Sequence, residues 1–577
     1  MKYFTLHSIE DGKMHVKFNM MDAHTYSDIF HRLMKFPEKK YSPRTNTYIL
    51  PVTPSNIAYL NEAFSTDEYD TDELSGLEIS HLTKTYSLQK LKEKQRLFYV
   101  DSEEEPEIKY KYKHKPYKHQ IVATNSLHGS EYFALLMEMG TGKTKVVIDE
   151  ICWVSKGRYV VVCPKNVMGQ WVKQLREHMT EEYAVTYMRT GAKGVEGMIS
   201  MLRREEKIKV FITSFGKLRS MQEYIGKLKP DMTIIDESHC IKNRNAKCTK
   251  ASWKLGEDSQ RRVILTGTPV ANTLLDLFAQ FQFLKPGSLG YNAYAQYKKQ
   301  FVRFKKIEKS FEKLVGYQQI DELKRFMSLC SFVAKKKDCL DLPEKVYEIR
   351  DIVLQPKQRE MYDMMVDIAL ADLEDDLSVE GTVNATVVIV QILRLSQIAN
   401  GFVKTMDGEE RNIPGGNPKI DELLQYISDV PSHEKVVIWA RFHKDVDNIR
   451  EALKDNYVTL DGRTKDKQRS IDSFNSDYGA RYLIGEPGSG GAGIDLLGTE
   501  KYPCSNHAYF SNDYSALKRA QSEDRSHRIG MFCPVTYTDF LCLNTIEERI
   551  YKILKSKREL NEDITTYSSV RKLLTGE

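Results

Sequence analysis

The chain lacks three features that would assign it to a class at once: paired cysteines, a long apolar run, and an excess of charge of one sign. Its nine cysteines stand apart, with no C-x-x-C pair and no Cys/His cluster at zinc-ligand spacing. That argues against a disulfide framework and a structural metal, and for a reducing, intracellular setting. The N-terminal MKYFTLHSIEDGK has no apolar signal core, and no run approaches the ~20 apolar residues that span a bilayer, so neither secretion nor a membrane partner is expected. Charge is abundant but balanced, 85 Lys+Arg against 80 Asp+Glu for a net of +5, so any nucleic-acid surface must be local. There is no repeat at solenoid period and no low-complexity tract.

What is present is length and rhythm. The 577 residues suffice for several domains of roughly 100–200 residues each. Residues 1–65 alternate like short strands, read helical from Ala23 and turn at Ser42-Pro43-Arg44, as a small α+β domain would. Residues 66–109 read as a charged linker, acidic clusters bracketing a Lys-bearing helical stretch that leads to the basic aromatic run Lys109 to Lys115. From 110 to 287, apolar β-branched runs (Tyr159 to Cys163, Val210 to Thr213, Met232 to Ile235, Val263 to Leu265) alternate with helical segments. The same rhythm returns over 416–560 at Val436 to Trp439, Tyr457 to Leu460, Tyr482 to Ile484, Ala508 to Phe510 and Val535 to Tyr537. Such alternation predicts an α/β fold with two parallel-sheet lobes covered by helices. Residues 288–415 read as a mostly helical middle segment, and 561–577 as a tail.

Met137-Glu-Met-Gly-Thr-Gly-Lys-Thr144 follows the apolar run Phe133 to Leu136 and opens a helical pattern, the strand-loop-helix context that a phosphate loop needs. Backbone N–H groups at Gly140, Thr141 and Gly142 would cradle phosphates, Lys143 would reach the β- and γ-phosphates of ATP, and Thr144 would hold Mg²⁺. About ninety residues on, Asp236-Glu-Ser-His239 follows a buried-strand run, at the sheet edge where ligands of α/β proteins bind. There Asp236 would steady Mg²⁺ and Glu237 would orient and deprotonate the attacking water. Upstream, Pro116-Tyr-Lys-His-Gln120 places Gln120 to pair with adenine and Tyr117 to pack nearby. Far downstream, Gln521 with Arg525 and Arg528, three apart on one expected helical face, could meet the γ-phosphate as arginine fingers.

These pieces, in this order, resemble the Snf-type DNA translocases of helicase superfamily two, over roughly residues 110 to 560. The likeness extends through Val162-Cys-Pro-Lys165, Gln170-Trp171, Ile212 to Phe215, Ile234 to Asn243, Leu265 to Asn272, Leu460-Asp-Gly462, Gly490 to Leu496, Asp524 to Gly530 and Thr545 to Arg549. The resemblance implies RecA-like lobes, an ATP hydrolase and a double-stranded or forked DNA track, since the middle segment is one that DEAD-box RNA helicases lack. It implies a relay of nucleotide state to DNA through Thr266, Gly267 and Thr268, matched in the second lobe by Gly493 and Asp495. Phosphate contacts would come from Lys165, Gln170 and Ser214 and from Gly462, Arg463 and Ser489, with little base preference. The run Tyr294 to Lys313, with Lys298, Lys299, Arg303, Lys305 and Lys306, is a candidate basic patch.

The family pattern usually has Asp at Met137, Ala at Ser238, Asn at Asp495 and Gln at Arg441, and these departures point to a divergent prokaryotic or viral branch acting on DNA in the cytoplasm. Tyr41-Ser-Pro43 and Tyr48 to Pro51 resemble, more faintly, the HepA-related domain of annealing helicases, with tyrosines where tryptophans are expected. Two other readings stay open at this point. One is an RNA helicase or RNA polymerase recycling factor; the other is a non-catalytic DNA-binding scaffold, which the intact Lys143, Thr144, Asp236, Glu237, Arg525 and Arg528 disfavour.

Overall fold

A strand inside a parallel sheet is covered by crossover helices on both faces, so it is apolar along its whole length instead of alternating. The computed structural model places the apolar runs in two such sheets. It describes residues 2–555 apart from 10–12, 37–38, 43–46, 52, 66, 103, 190, 271–272, 309–310, 341, 381–384, 406, 489–493, 514 and 529. The chain divides into two compact units, residues 1–339 and 340–577.

The larger sheet of the first unit has seven strands in the order Ser331–Ala334, Tyr132–Met137, Arg261–Leu265, Met232–Asp236, Gly157–Cys163, Ile208–Ser214 and Tyr183–Tyr187. Every neighbouring pair is parallel. The six-stranded sheet of the second unit runs Val346–Ile352, Thr536–Cys542, Cys504–Tyr509, Lys435–Trp439, Tyr482–Gly485 and Tyr457–Leu460, again parallel throughout. The expected α/β architecture of two parallel-sheet lobes is therefore the one observed.

The first unit also contains a five-stranded sheet near the N-terminus, ordered Lys40–Ser42, Thr47–Pro51, Lys13–Phe18, Phe4–Ile9 and Tyr69–Thr71. Its core gathers Phe4, Leu6, Val16, Leu33, Ile57 and Leu60. The helix Ala23–Leu33 starts where the Asp22 carboxylate accepts from the amides of His24 and Thr25, a side-chain N-cap.

The segment expected as a linker over 66–109 is folded instead. Tyr69–Thr71 pairs parallel to Phe4–Ile9, and Glu73–Asp101 is one helix. Its cations do not simply solvate. Lys92 donates to the Ser126 carbonyl at 3.2 Å and to Ser130 Oγ at 2.9 Å, at the C-terminal end of the helix Lys118–Leu127, and Arg96 donates to the Ser328 carbonyl. Orphan carbonyls at helix ends take such donors, which is why a Lys/Arg-bearing stretch can dock.

The middle segment is shared between the two units. Residues 288–339 belong to the first and supply its edge strand Ser331–Ala334, together with the hairpin Val302–Glu308 and Phe311–Tyr317. Residues 340–415 belong to the second and supply its edge strand Val346–Ile352. Among the described residues no helix is long and apolar enough to cross a membrane. The tail expected at 561–577 lies outside the described residues.

One buried acid in the second unit makes its stability depend on pH. Asp445 is fully buried in the helix His443–Leu453, accepting from Ser511 Oγ at 2.6 Å. Burial outweighs that bond and the nearby Lys419 charge and pushes the carboxyl up to about 7. Between the ordinary carboxylate range and pH 7 the folded chain keeps a proton that the unfolded chain has released, so stability falls as pH rises through this window and is level above it. Asp445→Asn should therefore gain about 2 kcal/mol relative to the native chain between pH 5.5 and 7, at roughly 1.4 kcal/mol per pH unit. Urea melts at pH 5.5 and 8 check this; parallel pH profiles for the two proteins would refute it.

Candidate nucleotide site

The strand Tyr132–Met137 delivers the chain into a tight loop and then into the helix Lys143–Val154. Two residues of the loop, Gly140 at φ 80° and Gly142 at φ 89°, adopt the left-handed conformation that glycine takes at no steric cost. At Gly142 the requirement is doubled, because a Cβ there would lie 2.2 Å from Gln120 Nε2. The loop is cross-braced: Thr141 Oγ1 donates to the Glu138 carbonyl at 2.7 Å, and the Thr141 carbonyl meets the His119 ring at 2.8 Å and Gln120 Nε2 at 3.0 Å. Lys143 curls over the loop, its amine donating to the carbonyls of Met137 at 2.8 Å and Glu138 at 3.2 Å. Thr144 stands in the first turn of the helix, partly exposed.

Gln120 is engaged at both ends of its amide, since Oε1 accepts from the Tyr117 amide at 3.1 Å. It ties the Tyr117 segment to the phosphate loop, and a contact with adenine would exchange one of these bonds. The Tyr117 ring is close to half exposed and stacks on His119, with centroids 5.9 Å apart.

Asp236 ends the strand Met232–Asp236, two strands from the phosphate-loop strand in the same sheet. Its Oδ2 accepts from the indole of Trp171 at 2.8 Å and its Oδ1 from the Glu237 amide at 2.9 Å. Glu237 adopts left-handed backbone, φ 52°, and its carboxylate lies 3.2 Å from His239 Nδ1. Burial first, and the adjoining Glu237 charge second, push Asp236 up to about 6, against the opposing pull of Trp171 and of the Lys143 charge. A divalent cation would relieve that strain, so the residues fit the expected Mg²⁺. Among the described residues no group of three or more His, Cys, Asp or Glu is poised to hold a metal alone. Mg²⁺ needs no such cage, because it commonly takes one or two protein oxygens with substrate phosphates and water.

The Thr266–Thr268 turn closes against this loop. Thr266 is fully buried and its Oγ1 accepts from the Thr268 amide at 3.1 Å, while a Cβ on Gly267 would come within 3.1 Å of the Met139 nitrogen. Lys165, exposed, and Ser214, buried, lie at the C-terminal ends of the adjacent strands Gly157–Cys163 and Ile208–Ser214, on the same sheet edge as Asp236. Gln170 is half-buried beside Trp171.

In the second unit the helix Ala516–Glu523 carries Gln521 but stops before Arg525 and Arg528, which lie in the following turn and not on a helical face. Tertiary hydrogen bonds draw this turn out of helical register: Ser526 donates to the Leu496 carbonyl and meets the His507 ring at 2.7 Å, and the His527 ring meets the Pro343 carbonyl at 2.8 Å. Arg525 is buried. Arg528 is ion-paired with Asp495, so a candidate finger and a candidate coupling residue form one pair.

Arg463, beside the exposed Gly462, is bonded to Asp461 and Asp447 at 2.9 Å each, and a DNA phosphate would compete with both carboxylates. Ser489 and Gly493 lie outside the described residues. Of the candidate basic patch, Lys298 packs over the Phe304 ring at 4.1 Å, between the helix Tyr294–Phe301 and the hairpin that follows it.

Two residues that sequence reading gave no role stand out: Trp171, which holds Asp236, and His119, which holds the phosphate loop. Trp171 is 65 residues from its partner, and no local pattern marks the pair.

Comparison with known proteins bears on the family of the chain. The sequence profile described as "SNF2-related domain" matches residues 78–401. The uncharacterized ATP-dependent helicase MG018 of Mycoplasma genitalium is 27% identical over 449 residues, 75% of this chain and 40% of that protein. The DNA repair and recombination protein RAD54B of Gallus gallus is 26% identical over 491 residues, 75% of this chain and 51% of its own length. The chain thus spans about half or less of the curated relatives it matches. A solved structure of the Sulfolobus solfataricus SWI2/SNF2 ATPase core in complex with dsDNA covers 81% of this chain and 98% of its own, at 22% identity and a TM-score of 0.37. With its profile matched over more than half its length, the chain belongs to the SNF2-related family.

Proposed function

We propose that the chain hydrolyses ATP with Mg²⁺ and uses the cycle to move along double-stranded DNA in the cytoplasm, remodelling, annealing or clearing it. The observation that carries the reading is the single sheet edge that holds both a glycine-shaped phosphate loop with Lys143 and a buried carboxylate pair, Asp236 and Glu237. The relatives named as helicases and as a DNA repair protein support it.

In this proposal Lys143 leaves its loop carbonyls for the β- and γ-phosphates, and the loop amides bind the remaining oxygens. Thr144 and Asp236 would hold Mg²⁺, which would neutralise phosphate charge when bound. Glu237 turns from His239 to a water and takes its proton. Arg525 and Arg528 of the second unit add positive charge to the γ-phosphate in the transition state, with Arg528 released from Asp495. The DNA candidates hold one strand's phosphates, so sequence preference should be weak.

Steady-state ATPase with no nucleic acid, single-stranded DNA, duplex DNA, forked DNA and RNA tests this. The expected result is stimulation of at least about tenfold by duplex or forked DNA, with turnover falling about a hundredfold or more in Glu237→Gln while ATP still binds. Stimulation by RNA alone would move the assignment to RNA, and turnover unchanged in Glu237→Gln would remove the site.

A further inference from the structure

The carboxylate turn and the Thr266–Thr268 turn are joined by a side chain that belongs to neither. Gln280 lies fully buried in the helix Leu275–Leu284, and each polar atom of its amide is used. Its Oε1 accepts from Ser238 Oγ at 2.6 Å, and its Nε2 donates to the Pro269 carbonyl at 2.7 Å and to the Asp276 carbonyl at 2.9 Å. Ser238, also fully buried, directly follows Glu237, and Pro269 directly follows Thr268. A buried amide with partners on two loops links their positions, because moving one loop alone strands a buried polar group at a cost of about 1–3 kcal/mol. On its other side the Thr266–Thr268 turn is pressed against the phosphate loop at Gly267, where a Cβ would lie 3.3 Å from the Met137 carbonyl. The turn is thus held by the phosphate loop and, through Gln280, by the carboxylate turn.

We propose that Gln280 is a positioning residue that passes nucleotide-dependent movement of the Glu237–Ser238 turn to the Thr266–Pro269 turn. The proposal rests on the ATP-site reading above. Gln280 acts through Ser238 at one end and Pro269 at the other. Ser238→Ala cuts the first connection and leaves Oε1 without its donor; Gln280→Met cuts both. If the two residues work as one bridge, their losses do not add.

Hydrogen exchange of the full chain with and without a non-hydrolysable ATP analogue reads the bridge directly, at the Gly267 and Thr268 amides. Duplex-stimulated ATPase and melting curves are recorded alongside. The native chain should show slower exchange there with the analogue. Ser238→Ala, Gln280→Met and the double variant should each lose that protection and about fivefold or more of the duplex stimulation, the double no worse than Gln280→Met. Protection retained in the variants overturns the proposal. So do additive losses that track a falling melting temperature, since those describe packing alone. Analogue binding in the native chain with no change at these amides refutes the bridge and leaves the ATP site standing, whereas no analogue binding at all removes both. If the analogue binds but no nucleic acid stimulates, the proposed track fails and the exchange data still decide the role of Gln280.

Discussion

Lys143→Ala should lower ATP turnover by about a hundredfold or more, the scale of removing one preorganised donor from a developing charge. The amine now sits on the carbonyls of Met137 and Glu138, a place it can leave without exposing core, so the loss should fall on catalysis and not on folding. Its charge also reaches Asp236, where it opposes the upward push of burial and of Glu237. Alanine removes both the phosphate contact and that support, so the variant should also need more Mg²⁺ for whatever activity remains. Lys143→Arg keeps the charge but brings a longer, planar head, and should recover only part of the rate. Steady-state kinetics with a magnesium titration measures all of this, and an alanine variant that retains most of the native turnover would sink the site assignment.

Lys419→Met should destabilise the second unit by about 3–5 kcal/mol, the cost of breaking a buried ion pair from one side. Lys419 is almost wholly buried at the start of the helix Pro418–Asp429. Its amine donates to both carboxylate oxygens of Glu547 at 2.7 and 2.8 Å and to Asn400 Oδ1 at 3.0 Å, joining three stretches of chain. Burial works against the ammonium, but the Glu547 carboxylate outweighs it and the amine's proton is held more tightly than usual. Glu547 in turn accepts from the Cys542 amide at 3.0 Å. Removing the lysine leaves that carboxylate buried and uncompensated. Lys419→Met with Glu547→Leu should recover more than half of the loss, because an apolar pair of similar volume strands no charge. Denaturant melts of the two single variants and the double test the coupling; equal stability of the Lys419 variant and the native chain would refute it.

Part of this was legible in advance. The runs at Tyr159 to Cys163 and Met232 to Ile235 lie in the strands Gly157–Cys163 and Met232–Asp236, and the phosphate-loop pattern lies between a strand and a helix. The edge strands were harder to see. Val346–Ile352 reads V-Y-E-I-R-D-I and is mostly exposed, so it lacks the doubly apolar character of an interior strand. The helix Glu73–Asp101 falls in what reads as a charged linker, a Lys-bearing helical stretch bracketed by acidic clusters, and no sequence pattern shows that Lys92 and Arg96 are drawn onto backbone carbonyls. Arg525 and Arg528 carried helical spacing, and bonds from Ser526 and His527 to Leu496 and Pro343 unwound the turn that bears them.

By itself the sequence determined the two parallel sheets, the glycine-shaped loop before Lys143 and the strand-end position of Asp236 and Glu237, because each is written in neighbouring residues: a doubly buried strand must be continuously apolar, and left-handed backbone in a loop favours glycine. Only the tertiary structure decided that Trp171 holds Asp236, that Gln280 joins Ser238 to Pro269, that Arg463 faces two carboxylates and that Lys419 meets Glu547. Several of those partners stand 42 to 128 residues apart, and a hydrogen bond between residues so distant leaves no local pattern. It exists because the packed sheets and helices bring the two groups into a place where neither can turn to water.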